Sequence, residues 1–158
     1  MTWITILGKL MVGLGVSLSI FFVTLLFSLP LGLLVAFGRM HKNPVLSGFT
    51  KGYISIMRGT PLMLQLIVVY FGPYYIFGIQ ISSAYRGTAV IIAFALNYAA
   101  YFAEIYRSGI ESMPAGQYEA ARVLGYSGSQ TFFKIILPQV IKRILPSVTN
   151  EVITLVKD

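Results

Sequence analysis

The feature that most constrains this chain is an uncharged apolar run from Leu10 to Gly38. A helix needs about 20 apolar residues to cross a bilayer, so the run is long enough to span one. It is too long for the apolar core of a signal peptide, which holds about 7–15 residues, and no small-x-small cleavage site follows it. Pro30 lies inside the run and predicts a kink. The sequence therefore predicts a membrane helix over about 10–38.

The composition of the whole chain agrees with a membrane protein. Only 11% of the 158 residues are charged, against about 25% in soluble domains. The net charge of +7 could indicate nucleic-acid binding, but the basic residues lie at the ends of apolar runs, as the positive-inside bias requires. With no cysteine and a single histidine, His41, among surface charges, we expect no metal site and no nucleic-acid partner.

Three further apolar segments predict three further spans, over about 54–77, 87–110 and 140–158. Gly72-Pro73 is expected to break the second span, and residues 78–86 read as a short outer loop. The fourth segment is weaker, because charged residues interrupt it. Basic residues concentrate in the linker 39–52 and in 107–143, so both segments are predicted to be cytoplasmic and the N-terminus to lie outside.

The polar segment over about 111–139 is predicted to form two short helices around a sharp bend. Gly125 stands where a glycine usually caps the C-terminus of the first helix. Ser127 begins a capping box that starts the second helix. That helix is expected to stop near Leu137, since Pro138 disfavours a helical conformation in the residue before it.

The spacing within this segment is E-A-A-x3-G-x9-I-x-L-P, beginning at Glu119. It resembles the cytoplasmic coupling loop, the EAA loop, of permease subunits from bacterial ABC importers. Other segments resemble the polar amino acid permeases of that family, and with the loop they cover nearly the whole chain: Arg58-Gly59-Thr60-Pro61-Leu62 with Gln65, Asn97-Tyr98-Ala99-Ala100-Tyr101, Glu104 to Ile110, Asn150-Glu151 and Lys157-Asp158.

The resemblance implies an all-α integral membrane protein, a polytopic helix bundle of the type I ABC importer permease (MetI-like) type. Residues 1–158 would form one transmembrane permease domain with four spans, and a fifth span is expected beyond Asp158. The chain stops in the middle of this pattern, so we expect either a shortened product or a failure of the alignment at its end.

The resemblance also implies partners and a location. The chain would lie in a bacterial inner membrane, pair with an identical or a different permease subunit, and receive an amino acid from an extracytoplasmic binding protein. ABC ATPase subunits would bind ATP and magnesium, so no cofactor is expected on this chain. The residues implied to couple to the ATPase are Glu119, Ala120, Ala121, Gly125, Leu137 and Pro138.

No enzyme chemistry is predicted for the chain itself. It has no G-x4-G-K-[ST] phosphate-binding loop, and one histidine without cysteine excludes most nucleophile–base pairs. We expect no catalytic residues, and energy for transport would come from a partner subunit.

Polar residues inside predicted spans are the candidates for a substrate pathway, because they are costly in lipid. Two sets recur at helical spacing on the third and fourth spans, and Gln65 lies on the second. The candidates are Gln65, Asn97, Tyr101, Glu104, Ser147, Glu151, Thr154 and Asp158. The alternatives are hydrogen bonds between helices for the neutral residues and an ion pair with Arg107, at i+3, for Glu104.

Three carboxylates, on Glu104, Glu151 and Asp158, lie at candidate pore depth against Lys157, with Arg107 as a further candidate cation. This surplus favours a cationic or polar amino acid as the substrate. Two other kinds of function are compatible with the chain. An ion-gradient-driven secondary transporter would use the same acids as a proton relay, but the paired broken helices of inverted repeats are not found. A non-transporting membrane scaffold would need no buried charges.

Overall fold

A computed structural model describes residues 3–82 and 84–158 of the chain. The described residues form helices joined by short connections, and no strand occurs among them. Ser83, in the predicted outer loop 78–86, lies outside the described residues. The helices are α1 (Trp3–Arg39), α2 (Pro44–Gly59), α3 (Leu62–Phe77), α4 (Tyr85–Glu111), α5 (Ala115–Val123), the single turn α6 (Gly128–Gln130), a π-helical turn (Thr131–Ile136) and α7 (Leu137–Lys157).

Helices α1 and α4 form the centre of the bundle, and they cover the predicted spans 10–38 and 87–110. Both are long and apolar enough to cross a membrane. Their contact surface is built from small side chains, which let two backbones approach closely without a hydrophobic driving force. A Cβ atom at Gly32 of α1 would lie 2.8 Å from Cβ of Phe102 and 3.0 Å from the carbonyl oxygen of Ala99 on α4.

Small buried residues continue this surface along both helices. On α1 they recur every fourth residue, which places them on one helical face. They are Thr24, Ser28, Gly32 and Ala36 on α1, and Ala89, Ala93, Ala99, Ala100 and Ala103 on α4. The hydroxyls of Thr24 and Ser28 are buried without a hydrogen-bond partner among the described residues. The hydroxyl of Tyr106 on α4 donates to the carbonyl of Leu29 on α1 at 3.5 Å, and packing of small side chains forms the rest of the contact.

The second predicted span, 54–77, falls on a bent pair of helices. Helices α2 and α3 meet at an angle of 111°, and together they are apolar and long enough for one broken span. Thr60 and Pro61 form the break. The prediction that Gly72-Pro73 breaks this span was wrong, because α3 continues through Pro73 and ends at Gly78, whose φ of 68° is left-handed.

Helix α7 returns along α4 and covers most of the predicted fourth segment. Leu155 of α7 packs with Tyr98 and Phe102 of α4 in one buried cluster. Near the other end, Val140 and Ile136 form a second cluster with Met113. Helix α7 has 21 residues, but its charged side chains make it less apolar than α1 and α4, as the sequence indicated.

Candidate functional site

A polar cavity of about 350 Å³ lies where the α2–α3 break faces α4 and α7. Five of the eight predicted pathway residues line it, and Thr60, Pro61, Leu62 and Tyr98 complete the wall. The five are Asn97, Tyr101, Glu151, Thr154 and Asp158. Two members of the polar set on the third span and three members of the set on the fourth span therefore meet at one cavity. Within the described residues, it brings two carboxylates, on Glu151 and Asp158, to the same wall.

The break beside this cavity is held by two side-chain amides. Met57 would normally bond its carbonyl oxygen to the N–H four residues later, but that residue is Pro61, which has none. Nδ2 of Asn97 donates to this oxygen at 3.1 Å, and Nε2 of Gln65 donates to it at 2.9 Å. Asn97 also donates to Oε1 of Gln65 at 3.0 Å. Gln65 further donates to the carbonyl and hydroxyl oxygens of Thr60, at 3.1 and 2.9 Å.

Through this network Gln65 lies beside the cavity but does not line it. Both polar atoms of its amide are hydrogen-bonded. The alternative interpretation of Gln65, as a structural amide, therefore has direct geometric support. Asn97 is 5% exposed and belongs both to the cavity wall and to the network.

Arg58 lies beside the cavity without lining it. The sequence indicated this residue only as part of the Arg58-Gly59-Thr60-Pro61-Leu62 motif. Its guanidinium carbon lies 5.3 Å from the centroid of the Tyr101 ring, which is within the range of a cation–π contact. Tyr101 lines the cavity, so a positive charge lies against one residue of the wall that also carries the two carboxylates. The signal in the sequence was an arginine directly before Gly59-Thr60-Pro61, where a helix must break.

Asp158 is fixed to α4 by a hydrogen bond. The hydroxyl of Tyr98, which is 1% exposed, donates to Oδ2 of Asp158. Tyr98 was not among the predicted pathway residues, because it does not share the helical spacing of Asn97, Tyr101 and Glu104.

Two predicted pathway residues lie away from this cavity. Glu104 forms an ion pair with Arg107, which also pairs with Glu111. This is the i, i+3 pair that the sequence offered as the alternative for Glu104. Ser147 is exposed on α7 and is not part of the cavity wall.

The predicted coupling segment contains the bend expected at Gly125. The N–H of Gly125 donates to the carbonyl of Arg122 and that of Tyr126 to Ala121, both at 3.0 Å. These two bonds form a Schellman motif, and Gly125 has the left-handed φ of 79° that such a cap uses. Ser127 and Gln130 then form the predicted capping box. Glu119 and Ala120 are exposed, whereas Ala121 is buried.

The prediction that the second helix stops near Leu137 was wrong. The π-helical turn runs directly into α7, and the N–H of Leu137 donates to the carbonyl of Phe132. Pro138 falls in the first turn of α7, where a missing N–H and a fixed φ are tolerated. The π turn accommodates the shift in hydrogen-bond spacing before Pro138, so the coupling segment is continuous with α7.

Apolar side chains at the tip of this segment are exposed, which the sequence pattern did not predict. Val123 is 88% exposed and Leu124 72% exposed, directly before the Gly125 bend. Phe133 is 64% exposed on the π turn. Exposed apolar groups beside a polar helix commonly mark an interaction surface.

Comparisons with known proteins define the class to which this arrangement belongs. The fold matches the crystal structure of an amino acid ABC transporter with histidines, with a TM-score of 0.84, 33% identity, and coverage of 99% of this chain and 73% of that chain. It also matches inward facing conformations of the MetNI methionine ABC transporter, with a TM-score of 0.62, 23% identity, and coverage of 91% and 66%. The fold is that of the permeases of ABC transporters.

Sequence comparison gives the family. Residues 28–158 match the family described as binding-protein-dependent transport system inner membrane component, and the chain belongs to that family. It is 41% identical over 146 residues to the putative glutamine transport system permease protein GlnP of Rickettsia conorii, covering 92% of this chain and 66% of that protein. It is 46% identical over 145 residues to the probable amino-acid ABC transporter permease protein YckA of Bacillus subtilis, covering 92% and 62%.

These matches confirm the resemblance to permeases of bacterial ABC importers for polar amino acids, as well as the predicted fold class. The chain spans 66% and 62% of the lengths of these two relatives. Members of this family are transport components rather than enzymes, and inner membrane proteins.

Proposed function

We propose that this chain is the membrane-spanning subunit of an ATP-driven importer of a polar amino acid. The observation that carries this proposal is the cavity between the α2–α3 break, α4 and α7. A wall of Asn97, Tyr101, Thr154 and two carboxylates is polar enough to replace part of the water around an amino acid. Irregular backbone at membrane depth is tolerated where it lines such a cavity, and the Thr60-Pro61 break is of this kind. The substrate pathway would therefore pass along α4 and α7.

Energy would enter through the coupling segment. ATPase subunits would bind ATP with magnesium, and they would bind the coupling segment, residues 111–139. Support comes from the fixed Gly125 bend and from the exposed side chains of Val123 and Leu124 at its tip. The π turn continues directly into α7. A displacement of the coupling segment would therefore be transmitted along α7 to Glu151 at the cavity wall. Two permease subunits would line one pathway, and an extracytoplasmic binding protein would deliver the substrate.

The test is transport by the complete system in proteoliposomes. The permease, its ATPase and its binding protein are reconstituted, and uptake of labelled L-glutamine and L-arginine is measured with ATP on the ATPase side. We expect uptake that requires ATP and fails with a non-hydrolysable analogue. Uptake driven by a pH gradient without ATP would instead establish a secondary transporter, and the proposal would fail.

Co-purification tests the coupling segment separately. The ATPase should be retained by the wild-type permease and lost when Glu119 and Gly125 are both replaced. Retention of the ATPase by such a variant at the wild-type level would place the docking surface elsewhere.

A further inference from the structure

The positive-inside bias does not explain Arg58, because this residue does not lie at a helix end near the membrane surface. The corner that follows it is bonded to Asn97, since Nδ2 of Asn97 reaches the carbonyl oxygen of Met57 at 3.1 Å. Asn97 lies near the middle of α4, which runs over Tyr85–Glu111. Because α4 is a spanning helix, Arg58 sits at about half its depth, well away from the cytoplasmic ends of α1 and α4.

A guanidinium at that depth needs a polar environment or a counter-charge. Within residues 3–82 and 84–158, Arg58 makes no ion pair with an acidic side chain. Its contact is the face of the Tyr101 ring. Arg107, by contrast, is engaged by both Glu104 and Glu111. Arg58 is exposed and makes no side-chain hydrogen bond within these residues. It does not line the cavity itself, but it lies against Tyr101, which does.

The charges around the cavity are then of both signs. Glu151 and Asp158 are on its wall, and the guanidinium of Arg58 lies over the ring of Tyr101, which belongs to the same wall. An amino acid carries an α-carboxylate and an α-ammonium, and a wall with carboxylates alone would repel the first of them. A planar guanidinium matches the two oxygens of a carboxylate in a bidentate pair.

We infer that Arg58, held over Tyr101 at the α2–α3 corner, binds the α-carboxylate of the transported amino acid. This inference rests on the proposed function and adds the group that recognises the part common to all amino acids. The carboxylates on α7 then face the positively charged or polar remainder of the substrate. The acidic surplus predicted from the sequence is smaller in the folded chain, because Glu104 is paired with Arg107 and Arg58 adds a cation.

Direct binding to the assembled permease–ATPase complex tests the inference without the binding protein. Affinities of L-arginine and L-glutamine are compared with those of their α-carboxamides, which lack the negative charge. Wild-type complex should bind each acid at least about tenfold more tightly than its amide. In Arg58→Gln, binding of the acids should weaken about ten- to hundredfold, as for loss of a charged hydrogen bond, while binding of the amides should be unchanged.

Lys51→Gln is the matched control. Lys51 lies seven residues before Arg58 on the same face of α2 and is exposed, so the variant removes an equal charge two turns from the corner. Its discrimination between acid and amide should equal that of the wild type. If Arg58→Gln does not assemble, Tyr101→Leu removes the ring beneath the guanidinium and should also weaken the acids more than the amides.

Each outcome has a defined meaning. Equal weakening of acid and amide in both variants would assign Arg58 a structural role and overturn the inference alone. Wild-type complex that binds acid and amide equally would do the same. Wild-type complex that binds no amino acid but supports ATP-dependent uptake would overturn the inference alone. Wild-type complex that shows neither binding nor uptake would overturn the proposed function, and the inference with it.

Discussion

The side-chain amide of Asn97 donates a hydrogen bond to the backbone carbonyl of Met57, 3.1 Å away and 40 residues earlier in the chain. The carbonyl needs this donor because Pro61, four residues after Met57, has no N–H to offer. The bond joins α4 to the corner between α2 and α3, and the same corner forms one side of the polar cavity. One amide thus connects the break in a membrane helix to the cavity that the break opens.

Asn97→Ala should destabilise the protein through this corner. The half-buried carbonyl of Met57 would lose one of its two donors and Gln65 would lose a partner, a cost of about 1–3 kcal/mol. Thermal unfolding of the purified protein in detergent, read as a shift in Tm, measures the loss. The control is Asn150→Ala, at an exposed position of α7. It should change the free energy of unfolding by less than about 0.5 kcal/mol. Equal losses in the two variants would contradict the role of the corner.

The spans on α1 and α4 were predictable because long apolar runs with few charges have few alternatives in a membrane protein. The break at Thr60-Pro61 was not placed correctly. Both Gly72-Pro73 and Pro61 could interrupt a helix, and local sequence does not show which carbonyls will find substitute donors. Pro61 creates a break that Asn97 and Gln65 stabilise from elsewhere in the chain, whereas α3 accommodates Pro73 and continues to its end at Gly78.

The polar wall of the cavity was largely predictable from helical spacing, since residues at i, i+4 and i+7 share a face. The exceptions depend on pairing. Glu104 has the spacing of a cavity residue, but Arg107 engages it one turn away. Arg58 lies outside any stripe, and its contact with Tyr101 depends on a 111° bend that the sequence does not specify.

Gly125→Val should distort the coupling segment. A Cβ at this position meets nothing within 4 Å, so crowding is not the cause. The φ of 79° is unfavourable for a β-branched residue, and a left-handed conformation costs an ordinary L-residue about 1–2 kcal/mol. We expect normal membrane insertion with several-fold weaker ATPase co-purification and transport.

Gly128→Val is the control for the coupling segment. Gly128 lies three residues further along, without a positive φ and with open space around its Cβ position. It should retain ATPase binding. Transport by Gly125→Val at the wild-type rate and equal expression would rule out a docking role for the bend.

Gly32→Val should disrupt the α1–α4 contact. Its Cβ would approach Cβ of Phe102 to 2.8 Å and the carbonyl of Ala99 to 3.0 Å, and neither neighbour can move without shifting α4. Overpacking of this kind costs about 1–3 kcal/mol. Resistance to detergent unfolding measures the effect. Gly15→Val on the same helix has open space around its Cβ and should behave as the wild type; a similar loss there would point to β-branching rather than packing.

The orientation in the membrane can be tested with single cysteines, since the chain has none of its own. The basic segments predict that residues 39–52 and 107–143 are cytoplasmic. Cysteines at Lys42 and Gln117 should resist an impermeant thiol reagent in intact cells and react after the membrane is opened. A cysteine at Gln80, exposed beyond the end of α3, should react in intact cells. The reverse labelling pattern would invert the topology.

Glu151→Gln tests whether the remaining acids of the cavity select the substrate. With Glu104 paired to Arg107 and Asp158 bonded to Tyr98, Glu151 is the cavity carboxylate with the most freedom to meet a cation. Opposite charges at 4 Å are worth about 4 kcal/mol at an effective dielectric of about 20, before desolvation is subtracted. The net loss should weaken apparent affinity by about one to two decades, each decade being about 1.4 kcal/mol.

The diagnostic measurement compares uptake of L-arginine with that of L-glutamine in Glu151→Gln, at equal membrane abundance. We expect a larger loss of uptake for L-arginine, because its guanidinium loses an ion pair with the Glu151 carboxylate. The side-chain amide of L-glutamine can still form a hydrogen bond with the amide of the introduced glutamine. Glu104→Gln is the matched control: it leaves the cavity wall intact and should affect the two substrates equally. Equal slowing of both substrates by Glu151→Gln would show that Glu151, like Glu104, has a structural role. It would also remove the main support for a cationic preference.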